Sequence, residues 1–294
     1  MPSTPTLIFM TIFCLVSLAS MLQNGFLIIV LGREWVQNGV LSAADMIVAS
    51  LASSRFCLHG LAILNNLLAS FGFCYHANLL GILWDFTNTL ILWQTAWLAI
   101  FYCVKISSFS HPVLLWLKWR ISQLVPRLLL SSIIMGGLSA VVSTTGNIFA
   151  IQMIISRASL GNCTLGHMTL DFFRYWYLSH AVLMWLTPFF LFLVSILSLM
   201  FSLCRHMEKM RDRRTGPRDF RIQAHTMALK SLTFFFIFYI LFFLSLIIFA
   251  TKVKTMQSHW YWAREVTIYM GISLNSIILV FSNPKLRKTL KMRS

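Results

Sequence analysis

Residues 97–120, WLAIFYCVKISSFSHPVLLWLKWR, decide how the chain is read. The stretch begins as uninterrupted apolar helix and meets its first charge at Lys105. It then turns through Ser107, Ser108, Ser110 and Pro112 into a segment that alternates Leu and Trp with Lys118 and Arg120. This is the pattern of a membrane exit followed by a basic interfacial segment. The aromatic and aliphatic side chains sit at headgroup level while the cations reach water and anionic lipid, which is favoured on the cytoplasmic leaflet. This end of the helix is therefore expected to face the cytosol.

The rest of the composition agrees. Of 294 residues, 58% are hydrophobic and 11% charged, with a mean hydropathy of +0.76. A soluble domain carries about a quarter charged residues, so this is an integral membrane protein. A spanning helix takes roughly 20 apolar residues, and seven with short connections use most of the length. The net charge of +16 would suit nucleic acid, but no basic cluster is set within a soluble fold, and basic residues in membrane proteins record topology instead. No nucleic-acid partner is expected.

Apolar runs predict helices at about 7–31, 43–68, 79–106, 124–149, 177–203, 229–250 and 263–281. The first has the length of a span and no small-residue cleavage site, so it is expected to be retained, with the N-terminus outside. Eighteen of the 24 Lys and Arg then fall in cytosolic segments, eight of them in the loop from Arg205 to Lys230, and five in outer ones. An odd number of spans with a cytosolic C-terminus accounts for that bias. The expected fold is an all-α seven-transmembrane bundle. Pro188 is expected to kink the fifth helix, and Gly136 and Gly137 to let a neighbour approach the fourth. Cys74 and Cys163 alone among the six cysteines fall in expected outer loops and could pair. Asn162-Cys163-Thr164 is the one glycosylation sequon, in the loop that the charge pattern independently places outside.

Arg55, the remaining cation, lies well inside the second helix. A central arginine costs about 3 kcal/mol on insertion scales, so it should face the bundle and find partners. Counted at 1.5 Å per residue, its charge, drawn toward the cytosol by the tilt of the side chain, lies about 12 Å from that face. Asn24 and Asn275 lie at about 9–11 Å. These three, with Ser276, form one expected polar layer that either glues helices together or switches them, and glue is the simpler reading. Nearer the outer end, Trp84 and Asn88 share a face of the third helix. With Phe242 and Glu265 they either line an outward-open pocket or are packing aromatics beside a juxtamembrane Glu265–Arg264 pair. The eight histidines form no metal-type pair, and neither Gly-x-Ser-x-Gly nor a phosphate loop occurs. No enzyme, metal or cofactor is expected.

Leu98-Ala99-Ile100-Phe101-Tyr102, followed by Lys105-Ile106, Phe109-Ser110 and Leu115-Trp116-Leu117-Lys118, resembles the second cytoplasmic loop of the bitter taste receptors, the type 2 taste receptor family of seven-helix G-protein-coupled receptors. Other strings resemble the same family. They are Asn24-Gly25-Phe26, Ser54-Arg55, LTPFFLFLVSILSL at residues 186–199, HTMALKSL at residues 225–232, and Asn283-Pro284-Lys285-Leu286, which matches the family's Asn-x-Lys-Leu. The resemblance implies a plasma-membrane receptor in which Trp84, Asn88, Phe242 and Glu265 bind bitter small molecules. It also implies a cytosolic face of Lys105, Ile106, Leu117, Lys118, His225, Leu229 and Lys230 that engages a gustducin-type heterotrimeric G protein or, by charge alone, anionic membrane lipid. Asn275-Ser276 stands where the family commonly has His-Ser, which puts a histidine-dependent switch in doubt. Two alternatives remain. A vomeronasal-type receptor would share the fold, but the loop-two and helix-six strings argue against it. A small transporter or channel should show an internal repeat or acidic residues at midplane, and neither is evident.

Overall fold

The computed structural model describes residues 4–70, 74–106, 112–160, 175–176, 179–180, 182–212, 229, 232–234, 236–237, 239–245, 247 and 259–282. The described residues are almost entirely helical. The elements are α1 (Thr4–Asn38), α2 (Ala43–Ser70), α3 (Cys74–Ile106), α4 (Pro112–Leu160), a π-helical turn (Val182–Leu186), α5 (Thr187–Asp212), α6 (Leu232–Ser245, described in part) and α7 (His259–Ser282). Five of these helical segments, between Thr4 and Arg205, are long and apolar enough to cross a membrane.

The helices place polar groups inward and apolar groups outward, the inverse of a soluble bundle. On α1, Ser17, Ser20 and Asn24 are buried, whereas Leu22 is 78% exposed and Leu15 and Leu18 are also turned outward. A helix apolar on its outer face too belongs in lipid, and its few polar side chains have only the bundle interior in which to find partners. α3 occupies the centre, packed against α2, α4 and α5, while α1 lies against α2 and α7. Leu27, Ile47, Leu51, Leu58, Leu92 and Ala96 are among the side chains that fill the core between them.

Local chemistry sets the ends and bends. Gly39 closes α1 with φ +71°, its amide donating to the Trp35 carbonyl at 2.8 Å, a left-handed cap that costs glycine no Cβ strain. Ser42 caps α2: its hydroxyl donates to Asp45 Oδ2 at 2.6 Å and accepts the Asp45 amide at 3.2 Å. α4 begins at Pro112, a residue suited to the first helical position, rather than at about 124. The basic Leu/Trp segment is thus its first turns, and the helix continues through Pro126. Immediately before Thr187-Pro188, the chain forms the π-helical turn. Pro188 supplies no amide to the preceding turn, and the wider turn is where the expected distortion is taken up. Gly136 faces α3 so closely that a Cβ there would stand 3.1 Å from the Phe86 ring and 3.2 Å from its carbonyl oxygen, whereas Gly137 meets nothing within 4 Å. Only the first of the two glycines permits the approach.

Candidate functional site

The polar layer assembles around Ser276. Arg55 Nη1 donates to Ser276 Oγ at 3.0 Å, and the one Ser276 hydroxyl proton is shared between Asn24 Oδ1 at 3.3 Å and the Ile272 carbonyl one turn back at 3.2 Å. Asn24 Nδ2 in turn donates to the Ser20 carbonyl at 2.8 Å and hydroxyl at 3.2 Å. α1, α2 and α7 are therefore pinned at one level. Asn275 is also buried, but its Oδ1 has no partner. The hydroxyl one residue later makes the bridge, because consecutive helical residues point about 100° apart.

One turn outward from Arg55 on α2, His59 lies against the Tyr269 ring at 5.2 Å, and Phe13 packs edge-on against the same ring at 5.2 Å. Tyr269 carries the contact to α3. Trp84 Nε1 donates to its hydroxyl at 2.7 Å, and Glu265 lies one turn before it on α7. Trp84 and the α7 segment after Glu265 are thus tied across the bundle. Asn88, one turn further along α3, is fully buried, and neither its Nδ2 nor its Oδ1 has a partner. Glu265 Oε1 accepts from Arg264 Nη2 at 3.1 Å. Arg264 stacks on Tyr261 at 5.0 Å, and the Tyr261 hydroxyl donates to Asn66 Oδ1 of α2 at 3.0 Å. Phe242 is buried and meets the Tyr239 ring at 6.2 Å. It belongs to an aromatic stack between α5 and α6 in which Phe189 and Phe243 lie parallel at 3.7 Å and Phe192 meets Tyr239 at 4.0 Å.

Two further polar clusters hold this frame. Ser54 Oγ donates to Gln94 Oε1 at 3.0 Å, and Gln94 Nε2 donates to Ser50 Oγ at 2.8 Å, which clamps α2 to α3. Asp85 is 1% exposed, and Ser139 of α4 donates to its Oδ2 at 3.0 Å. Thr89 donates to Ser139 at 2.9 Å, and His180 Nε2 lies 2.9 Å from the same hydroxyl and 3.4 Å from Asp85 Oδ2. Ser139 has one proton. With that proton on Asp85, His180 must present Nε2–H. Neither Tyr269 nor this Asp85 cluster stands out in the sequence, although Tyr269 does share the helical face of Glu265 four residues earlier.

At the end assigned to the cytosol, Lys105 closes α3 partly buried beside an exposed Ile106, and Leu117 and Lys118 are partly buried on the first turns of α4. Trp119 is 83% exposed, and the Arg120 guanidinium lies 5.3 Å from the Trp116 ring. Leu229 is partly buried. Asn162, Cys163, His225, Lys230 and the side chain of Cys74 lie outside the described residues.

The model of the taste receptor protein (TAS2R) family matches residues 1–293. Taste receptor type 2 member 143 of Rattus norvegicus is 79% identical over 293 residues, covering all of both chains. The protein of the same name from Mus musculus is 77% identical over the same span. Taste receptor type 2 member 134 of Rattus norvegicus is 57% identical, covering 97% of this chain and 86% of its own. Full-length similarity of this degree, on an inside-out helical bundle, settles the class: the chain belongs to the taste receptor protein (TAS2R) family and is a membrane-embedded, G-protein-coupled receptor for small molecules, not an enzyme.

Proposed function

We propose that this receptor sits in the plasma membrane and responds to bitter small molecules that enter from the extracellular side and lodge between α3 and α7, at the level of Trp84, Asn88 and Glu265, with Phe242 contributing apolar wall. The single observation that supports this best is Asn88. Its amide is wholly buried in the bundle with neither atom hydrogen-bonded, beside the Trp84–Tyr269 bond that joins the two helices. A buried amide left without partners costs about 1–3 kcal/mol, and an agonist's polar group recovers that cost while its apolar body covers the aromatic rings. Glu265, already holding Arg264 through Oε1, offers its carboxylate as the acceptor for a ligand's basic nitrogen.

Agonist binding then selects the bundle arrangement that binds it better, since a ligand with equal affinity for both states shifts nothing. The Asn24–Ser276–Arg55 bridge ties α7 and α2 together below the ligand, so movement of α7 must be accommodated there. The cytosolic residues Lys105, Ile106, Leu117, Lys118, His225, Leu229 and Lys230 form the face that catalyses nucleotide exchange on a gustducin-type heterotrimer, and nearby cations hold anionic lipid. Asn162 carries a glycan on the outer loop. Intracellular calcium, recorded in cells co-expressing a gustducin-chimeric G protein and challenged with a bitter-compound panel, tests this reading. A concentration-dependent signal that disappears in Trp84→Ala and Glu265→Gln at matched surface expression is expected. A signal equally strong in both variants would place the ligand elsewhere.

A further inference from the structure

Arg55 is 2% exposed, and Nη1 meets a neutral hydroxyl, that of Ser276. The carboxylates of Asp85 and Glu265 are held by His180 and Arg264, so neither compensates it. Its Nε has no hydrogen-bond partner. Four residues along α2 and on the same face, His59 is fully buried with both ring nitrogens unpartnered. The facing helix repeats the pattern: Ser17 of α1 is fully buried and its hydroxyl is unpartnered.

Ring contacts and hydrogen bonds fix the level of these groups. Phe13 and His59 both meet the Tyr269 ring, which defines an outer layer across α1, α2 and α7. Asn24, Arg55 and Ser276 define an inner layer across the same three helices. Ser17 follows Phe13 by four residues and precedes Asn24 by seven, so it lies on the α1 face shared by both and between the two layers. Arg55 Nε and His59 span the same interval on α2. A guanidinium N–H, an imidazole N–H and a hydroxyl are all donors, and the first brings an uncompensated positive charge.

We propose that the space between these layers binds a small monovalent anion of the chloride class, held by Arg55 Nε–H, the His59 ring N–H and the Ser17 hydroxyl. A water would satisfy single hydrogen bonds there but would leave the buried cation unneutralised, which is the costly condition in a membrane interior. On the outer side stand the Phe13 and Tyr269 rings, in edge contact at 5.2 Å, and three single donors with no acceptor among them match a spherical anion. Because its ligands come from α1 and α2 within the layer that α7 joins, the anion favours the arrangement in which the Arg55–Ser276 bond is made. The site needs no agonist and stands independently of where the agonist binds.

The test is the thermal unfolding of the full-length purified receptor in nanodiscs, with sodium chloride exchanged for sodium gluconate at constant ionic strength. Ligand linkage predicts a saturable rise in the unfolding midpoint with chloride and with bromide. In His59→Phe and Ser17→Val, which leave the Arg55–Ser276 bond in place, the midpoint in gluconate stays near that of the parent and most of the halide-dependent rise is lost. Equal midpoints of the wild-type receptor in chloride and gluconate would overturn the proposal whether or not the variants fold. So would a halide-dependent rise of undiminished size in both variants.

Discussion

Among single residues, Ser276 and Asn88 carry opposite expectations. Ser276 accepts from Arg55 and shares its proton between Asn24 and the Ile272 carbonyl, so Ser276→Ala leaves a buried guanidinium short of a partner and removes the hydroxyl that the Asn24 amide oxygen faces. A loss of about 1–3 kcal/mol is expected, read as a lower unfolding midpoint of the purified receptor and reduced surface expression. Asn88 makes no hydrogen bond that Asn88→Leu would break. That variant should hold or raise the unfolding midpoint while shifting agonist potency at least about tenfold, equivalent to about 1.4 kcal/mol of lost binding. The pairing of unharmed stability with lost potency separates a ligand contact from a packing residue. Asn24, Arg55 and Asn275, with Ser276, were legible as one layer because helical rise fixes depth and a central arginine demands partners. That Ser276 rather than Asn275 forms the bridge was not legible, since depth alone does not say which of two neighbours faces α2. The Trp84–Tyr269 bond joins residues 185 positions apart, and no local pattern encodes such a pair.

At the scale of helices, the α3–α4 contact depends on Gly136. Gly136→Val would drive its side chain into Phe86, part of which is backbone, at a cost of about 1–3 kcal/mol. Gly137→Val meets open space and should stay within about 0.5 kcal/mol. Matched thermal unfolding curves of the two variants check the contrast, and equal losses would mean that the helices do not meet at this glycine. Both glycines are equally small in the sequence, and the rotation of α4 that distinguishes them is not written there. Pro188 was a safer signal. A missing amide acts wherever the helix is placed, and the π-helical turn lies directly before Thr187-Pro188. The first turns of α4 read as an interfacial segment on charge, and Lys118, Trp119 and Arg120 keep that character within a helix that starts at Pro112.

For the molecule as a whole, fold class was the most legible property, because apolar runs of spanning length and a strong cation bias are written locally along the chain. The interior polar clusters were not. Asp85, Ser139 and His180 come from three separate stretches and acquire meaning only when the bundle closes. If a ligand beside Asn88 shifts this bundle toward a state that activates a G protein, as proposed, the shift is seen at the heterotrimer itself. The most direct measurement is nucleotide exchange on a purified gustducin-type heterotrimer, driven by the receptor in nanodiscs with and without a bitter agonist identified by the calcium screen. Exchange is expected to accelerate with agonist concentration in the wild-type receptor, with the concentration dependence displaced about tenfold or more in Asn88→Leu. Agonist that binds the wild-type receptor yet leaves exchange at the rate of empty nanodiscs would contradict the proposal.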